Sequence, residues 1–260
     1  MNLKELEYLK NWFDKYVKEL SLNDGKIKDL TDLKVFHSRK VAEEALYIAT
    51  GLMWNKEDVY CSEALGLLHD IGRFPQIIEY GTFSDPDSIN HGERGFTAAK
   101  EFGILSGLSV TDRDRIENGI RYHNSKVVPD NLSGDSLKFL KLVRDADKID
   151  IYRVINETIS NKDMLKHPEI TLNIDLNGPV NRDALEQIKR KETVSYECIK
   201  SLADFALTEL SWIYDINYAP SLERIQSRNI LQQIKNLLPD DKEITDIYND
   251  VVEYINKETV

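Results

Sequence analysis

Apolar residues recur at helical spacing through most of this 260-residue chain, and few residues interrupt them. Only 7 prolines and 12 glycines are present, so long segments contain no helix breaker. In residues 3–20 the apolar side chains fall at i, i+3 and i+4, which places them on one face of an α-helix. Further helices are predicted over residues 32–52, 56–70, 92–103, 111–124, 135–160, 181–213, 221–237 and 241–257. The pattern predicts an all-α fold, in which the helix over 32–52 begins at a cap formed by Thr31 or Asp32.

One short segment favours a strand instead. Residues 171–176 alternate polar and apolar side chains, but no second segment offers itself as a partner. No internal repeat, low-complexity tract or linker-like stretch divides the chain. We therefore predict one all-α domain over residues 1–260, whose last part is a helical extension that completes the core, walls a pocket or supports a homodimer.

Composition narrows the class of protein. The chain has 34 Lys+Arg against 45 Asp+Glu, a formal net charge of −11 that argues against broad nucleic-acid binding. The chain contains no run of about 18 apolar residues, so no membrane helix is predicted. The first 20 residues lack the apolar core of a signal peptide. The two cysteines, Cys61 and Cys198, lie in helix-like stretches and are expected to be reduced thiols. These features predict a cytoplasmic protein without membrane partners.

Histidine is scarce, and its placement is informative. Four of the five histidines lie in the first half of the chain, at the ends of predicted helices or in short loops that enter them: His37, His69, His91 and His123. His69 is followed by Asp70, and the pair closes an apolar helix. Polar groups buried there need a partner or a metal. Imidazole nitrogen combined with carboxylate oxygen suits Zn, Fe, Mn, Co or Ni better than Ca.

A second informative segment covers residues 137–152. Asp147 has apolar residues at i−7, i−4 and i+4, so a carboxylate lies within an apolar stripe. Such local conflicts tend to mark functional sites. Asp150, one turn further on, is placed to orient a ligand or to cap a neighbour. Arg144 and Lys148 are cations that could bracket a bound anion.

Each of these residues also has an ordinary structural explanation. A lone histidine on an apolar helix is more often a hydrogen-bonded core residue. An aspartate in a charged helix more often belongs to a solvated face or to an i, i+4 ion pair. The joint pattern of four histidines and two aspartates favours a metal site, but spacing this wide has no fixed motif. The residues alone leave both interpretations open.

The order His37, His69-Asp70, Asp147 resembles the signature of the HD superfamily of metal-dependent phosphohydrolases. Residues from about 32 to 152 are similar to that domain. We accordingly expect an HD-domain helical bundle with its metal-binding core at residues 25–155 and a helical C-terminal extension at 156–260. The resemblance also implies that the ligand is Asp147, which immediately precedes a lysine, and not Asp145.

His91 and His123 resemble the two extra ligands of family members that hold two metals. The resemblance therefore implies one or two divalent transition-metal ions, drawn from Fe, Mn, Co, Ni and Zn with Mg as a further candidate. Six ligands follow from it, with Asp70 bridging the ions: His37, His69, Asp70, His91, His123 and Asp147. His167 matches nothing in the family and is predicted to be a surface loop residue.

Departures from the family pattern bear on the substrate. Arg73 occupies the position at which several single-metal nucleotidases carry a glutamate, and a phosphate-contacting cation stands there in the two-metal members. No Gly-Tyr-Pro follows His123, and the Glu-Asp of alarmone hydrolases is missing, so cyclic dinucleotides and alarmones are weaker candidates. Glu93 is expected to hydrogen-bond a ligand histidine. Residues 79–86 form either a lid over the substrate or an ordinary surface connection.

The implied function is a metal-dependent phosphohydrolase that acts on a small phosphorylated metabolite or nucleotide through a metal-activated hydroxide. Asp70, Arg73 and Lys148 would be the catalytic residues. The substrate would be bound by four cations: Arg73, Lys148, Arg144 and Arg94. Two alternatives from other classes remain: a diiron oxygenase built on the same ligands, and a non-catalytic nucleotide-binding HD protein.

Overall fold

The computed structural model of the chain describes residues 1–20, 25–132, 134–160, 175 and 177–259. These residues form twelve α-helices and two short 3-10 helices and include no β-strand, which confirms the all-α prediction. Of the predicted strand at 171–176 only Asp175 is described, and it makes an isolated parallel bridge with Ser201. No helix in the described part of the chain is long and apolar enough to cross a membrane.

The chain divides into two compact units, Met1–Asp150 and Ile151–Val260. The division lies close to the boundary predicted at residue 155, and a single domain over the whole chain stays a prediction. The first unit contains α1 (Leu3–Leu20), α2 (Gly25–Gly51), α3 (Lys56–Leu68), α4 (Arg73–Tyr80), α5 (His91–Glu101), α6 (Val110–Tyr122) and residues 134–150 of α7 (Gly134–Ser160).

The second unit contains the rest of α7 and a set of shorter helices. They are α8 (Arg182–Lys189), a 3-10 helix (Tyr196–Cys198), α9 (Leu202–Ser211), a second 3-10 helix (Trp212–Asp215), α10 (Ala219–Ser227), α11 (Ile230–Lys235) and α12 (Lys242–Glu258). The buried Tyr152 hydroxyl donates to the Glu209 carbonyl at 2.8 Å, and its ring packs on Trp212. This unit therefore has a core of its own.

Three predicted helices have different boundaries in the structure. The cap at Thr31 or Asp32 is wrong, because the Thr31 hydroxyl donates to the Ile27 carbonyl one turn back, inside α2. The helix predicted over 181–213 is broken, since Ser201 and Asp204 form a capping box that starts α9. The helix over 221–237 is broken at Asn229, whose φ of 53° is left-handed.

The short helix α4 was absent from the predicted set. It contains Pro75 in its first turn, where backbone N–H groups have no partner within the helix, so proline is tolerated there. It ends at Gly81, whose φ of 67° suits glycine. A sequence search that treats proline as a helix breaker passes over such an element.

Helix α3 lies at the centre of the first unit, packed against α1, α2 and α6. It approaches α2 closely at Gly66, where an added Cβ would lie 2.8 Å from both the Ala42 Cα and the Val41 carbonyl oxygen. Only glycine permits this approach. Because α2 carries His37 and α3 leads directly into His69, the contact sets the spacing of two site residues.

We expect Gly66→Ala to lower the free energy of unfolding by about 1 to 3 kcal/mol, since the new methyl group would push backbone against backbone. Urea unfolding measures the change. The matched control is Gly107→Ala: an added Cβ there has nothing within 4 Å, so stability should be unchanged or raised by at most about 1 kcal/mol. Equal stability of the two variants would contradict the close packing of α2 and α3 at Gly66.

Candidate metal centre

The structure brings the six predicted ligand side chains together. His37 comes from α2, His69 and Asp70 follow α3, His91 begins α5, His123 follows α6, and Asp147 lies on α7. Five of them are buried, and the side chain of Asp147 is 19% exposed. Within the described residues, every group of three or more side chains that could hold a metal ion is drawn from these six.

Asp70 lies between two pairs of histidines. Its Oδ2 is 3.7 Å from His37 Nε2 and 3.6 Å from His69 Nε2. Its Oδ1 is 3.4 Å from both His91 Nε2 and His123 Nε2. Each carboxylate oxygen therefore faces a different pair, which is the arrangement expected of a carboxylate that bridges two cations.

Asp147 contacts the first of these pairs, and it also groups with His69 and His123 as side chains that could hold one metal ion. Its Oδ1 is 3.1 Å from His37 Nε2 and 3.6 Å from His69 Nε2. Asp145 is wholly buried and belongs to none of the groups that could hold a metal ion among the described residues. The geometry thus favours Asp147 over Asp145, as the resemblance to the HD superfamily implied.

The Nδ1 atoms of all four histidines point away from the centre and are hydrogen-bonded. His69 and His123 donate to backbone carbonyls within their own helical turns, at 2.7 and 2.8 Å. His37 and His91 bond to Asp150 and Asp85, each at 2.7 Å. Carbonyl and carboxylate oxygens only accept, so Nδ1 carries the proton and a neutral ring presents a lone pair at Nε2.

The protein itself supplies no hydrogen-bond donor to these lone pairs among the described residues. The buried Nε2 atoms of His37 and His69 have no hydrogen-bond partner among the described residues. His91 Nε2 and His123 Nε2 are 3.0 Å apart, a distance at which two lone pairs repel unless a cation lies near them. Buried, unpaired acceptors are costly. The donor set fits a divalent ion with nitrogen and oxygen ligands.

The ionisation states agree with that fit. Burial raises the pKa of Asp70, but the charge of Lys34, the contacts with the His69 and His123 rings and the charge of Arg73 outweigh it and hold the pKa well below its usual range. Burial likewise raises the pKa of Asp147, and its contacts with His37 and His69 bring it well below normal. Burial and the charge of Arg73 lower the pKa of His91 to about 3. The carboxylates are therefore charged, and His91 is neutral at neutral pH.

His37 is the exception among these groups. Burial and the charge of Lys34 lower its pKa, but its close contacts with the Asp147 and Asp150 carboxylates outweigh them, so the net shift is upward. Metal binding needs the neutral ring, and protons therefore compete with a metal at His37 more than at His91. Asp150 performs the orienting role that its position in the sequence suggested.

Two cations lie against Asp70. Lys34 Nζ donates to Asp70 Oδ2 at 2.8 Å and is 5.2 Å from the centroid of the Phe83 ring. Arg73 Nε is 3.6 Å from Asp70 Oδ1, while its Nη1 donates to the Phe83 carbonyl and to Asp85. Lys34 was missed in the sequence, although it precedes His37 by three residues and so shares its helix face.

The other predicted substrate-binding cations have different surroundings. Arg144 Nη1 donates to the carbonyls of His123 and Ser125, at 3.1 and 2.6 Å, and so supports the end of α6. Arg94 Nη1 lies 3.1 Å from the Glu101 carboxylate. Lys148 is half-buried on α7. Their roles in binding a substrate stay predictions.

One expectation is wrong and one residue was overlooked. Glu93 accepts from Arg121 Nε at 2.8 Å at the surface, and the carboxylate that bonds His91 is Asp85 instead. Asp85 lies in the loop that follows α4, where the chain has no helical periodicity to mark it. His167 lies outside the described residues.

These observations define a class of protein: an all-helical unit that contains a buried centre of histidines and aspartates. Residues 35–152 match the family model of the HD domain, and this part of the chain is an HD domain. The matched segment contains all six residues of the centre. Proteins with this domain bind divalent metals. A comparison with curated proteins and one with solved structures each gave no match.

We expect Mn²⁺ or Co²⁺ to raise the thermal unfolding midpoint of the metal-free protein by several degrees, and EDTA to reverse the rise. A ligand of the folded state at a hundred times its Kd adds about 2.7 kcal/mol of stability. Calorimetry measures the midpoint. In His69→Ala the rise should be lost or much reduced, and a midpoint that ignores metal in the wild type would contradict a metal centre.

Proposed function

We propose that the protein is a metal-dependent phosphohydrolase that cleaves a phosphoester of a small phosphorylated metabolite or nucleotide. The observation that carries the proposal is the position of Asp70, with one oxygen facing each histidine pair and a cation beside each oxygen. Proteins of the HD family are generally phosphohydrolases, which supports the reaction class.

The cluster has two halves that share Asp70. The first half-site consists of His37, His69 and Asp147, and the second half-site consists of His91 and His123. Each would hold one divalent ion, from Fe, Mn, Co, Ni, Zn or Mg. A bound ion of this kind lowers the pKa of a coordinated water from about 15.7 toward about 7, which supplies a nucleophile at neutral pH.

Side chains of the protein would recruit and orient the anionic substrate. Lys34 and Arg73 place two positive charges beside the cluster of a chain whose net charge is −11. Their side chains are 16% and 15% exposed, so solvent reaches both. A local positive field attracts phosphate, and charge-assisted hydrogen bonds would offset charge on the transferring group. Lys148 has the same proposed role from its place beside Asp147.

The loop between α4 and α5 supplies an aromatic ring to this part of the site. Phe83 is half-buried, and both Lys34 Nζ and Arg73 Cζ lie within 6 Å of its centroid, at 5.2 and 5.9 Å. A ring that flanks two cations holds them in place through cation–π attraction. It also offers an apolar surface next to the proposed phosphate position, which is compatible with an organic phosphoester.

A screen of nucleotides and phosphosugars for phosphate release, with Mn²⁺, Fe²⁺, Co²⁺, Ni²⁺ and Mg²⁺, tests the reaction class. We expect turnover that His69→Ala and Asp147→Ala abolish together with the ion of the first half-site, because each removes a ligand of that ion. His167→Ala is the matched control: this fifth histidine lies beyond the matched residues 35–152, and its loss should change neither quantity.

Other outcomes of that screen separate the rival classes. Consumption of O₂ by the iron-loaded protein without phosphate release would instead identify an oxygenase. Nucleotide binding without any turnover would identify a non-catalytic binding protein. Wild-type metal content and activity in both His69→Ala and Asp147→Ala would show that the proposed site is wrong.

We further expect Lys34→Ala to lower kcat/KM by about 10- to 100-fold, since a hydrogen bond to a charged group is worth about 1.5 to 3 kcal/mol. Steady-state kinetics measure the change, and Lys34→Arg should recover most of it. Metal content should stay at the wild-type level. The control is Lys40→Ala, because Lys40 pairs with Glu43 at the surface of the same helix. Unchanged kcat/KM in Lys34→Ala would exclude a substrate contact.

A further inference from the structure

The four histidines of the cluster differ in what holds their Nδ1 atoms. For two of them the acceptor is a backbone carbonyl three residues earlier in the chain. For His37 the acceptor is an aspartate on α7, a long helix. His91 instead bonds to Asp85, which lies in the loop between α4 and α5. The orientation of His91 thus depends on a loop residue.

Asp85 gathers donors from several elements. Both of its oxygens lie close to His91 Nδ1, at 2.8 and 2.7 Å. Its Oδ1 also accepts from Arg73 Nη1 at 3.0 Å and from Gln76 Nε2 at 2.9 Å, and its Oδ2 accepts from Asn124 Nδ2 at 3.1 Å. These donors come from α4, from the first residue of α5 and from the turn after α6. The carboxylate is consequently fixed in place from three directions.

The loop that carries Asp85, residues 81–90, is held by helix α4. Gln76 is wholly buried on α4, and its Nε2 donates to Ser88 Oγ at 2.8 Å and to the Ile89 carbonyl at 3.0 Å, as well as to Asp85. One amide group therefore connects the helix to three points of the loop. This connection gives the loop a defined path next to the cluster.

The contact with Asp85 bears on which nitrogen of His91 carries the proton. A carboxylate at Nδ1 requires the proton there, which leaves the Nε2 lone pair directed toward Asp70 Oδ1 at 3.4 Å and His123 Nε2 at 3.0 Å. Without that acceptor the ring is free to carry its proton on Nε2. A carboxylate partner also makes imidazole a better metal donor, and loss of such a partner typically lowers metal affinity about 10- to 100-fold.

We propose that Asp85 is a positioning residue that sets the metal affinity of the second half-site by holding His91, without contacting metal or substrate itself. This role rests on the two-ion site proposed above. The first half-site has separate support, since Asp150 holds His37 and a backbone carbonyl holds His69. Loss of Asp85 therefore acts on one half-site and leaves the other unchanged.

Titration of the metal-free protein with Mn²⁺ or Co²⁺, followed by calorimetry and by metal analysis, tests this role. In Asp85→Asn we expect the Kd of the second half-site to rise about 10- to 100-fold while the first is unchanged. Asp85→Ala, which removes the acceptor altogether, should weaken the second half-site at least as much. The retained first half-site shows that each variant is folded.

Asp87→Asn is the matched control for this titration. Asp87 is an exposed residue of the same loop and accepts from Ser84 Oγ at 2.6 Å, so removal of its charge should leave both affinities unchanged. The tautomer of His91, read by ¹⁵N NMR of the metal-free protein, gives a second measure. The wild type should show the proton on Nδ1, and Asp85→Ala should shift it toward Nε2.

The outcomes distinguish this role from the function on which it rests. If the wild type binds one ion at saturation, the two-ion site is wrong and the role of Asp85 is wrong with it. A second outcome is that Asp85→Asn binds two ions with the same two affinities as the wild type, and that His91 keeps its tautomer in Asp85→Ala. That outcome excludes the role of Asp85 and leaves the two-ion site standing.

Discussion

The buried charge of Asp70 is the constraint on which the first unit depends. A carboxylate at the end of the central helix α3, almost without access to water, must be surrounded by positive or donating groups. Lys34 and Arg73 supply two of them, and the histidines supply Nε2 atoms whose lone pairs need a cation of their own. The protein therefore concentrates negative charge and nitrogen lone pairs at one place, where a metal ion would neutralise the charge and coordinate the lone pairs.

Close backbone contacts make this concentration of polar groups feasible. An added Cβ on Gly72 would lie 2.0 Å from the His91 carbonyl oxygen, so the turn after α3 and the start of α5 touch at this glycine. Asn90 caps α5 by accepting from the Glu93 amide at 3.0 Å, which fixes His91 as the first residue of that helix. Apolar packing brings the helices together, and these two features set where their polar ends meet.

The two halves of the cluster are supported in different ways. The first receives His37 and Asp147 from helices and His69 from the turn that directly follows α3, all of them held by backbone hydrogen bonds and by the core. The second includes His91, whose partner Asp85 belongs to a loop tied to α4 through Gln76 and Arg73. Arg73 Nε also lies 3.6 Å from Asp70 Oδ1, so one cation stands beside both the loop and the carboxylate that the two halves share.

The sequence by itself determined the helical class, because helical periodicity is local. The placement of its scarce histidines left a metal site and ordinary core residues both open, and the six side chains of the centre were predicted only through the resemblance to the HD superfamily. A position three residues before His37 is the one sequence signal for Lys34 among 34 basic residues, and no signal selects Asp85 among 45 acidic ones. The partner of a charged side chain depends on distance in space. Lys34 is 36 residues from its partner Asp70, and Asp85 is 39 residues from its partner Asn124. The breaks in the helices predicted over 181–213 and 221–237 have local causes, a capping box and a left-handed residue, which helical periodicity does not reveal. Only the tertiary structure decided the contacts of Lys34 and Asp85, because they depend on how the helices and the loop pack together.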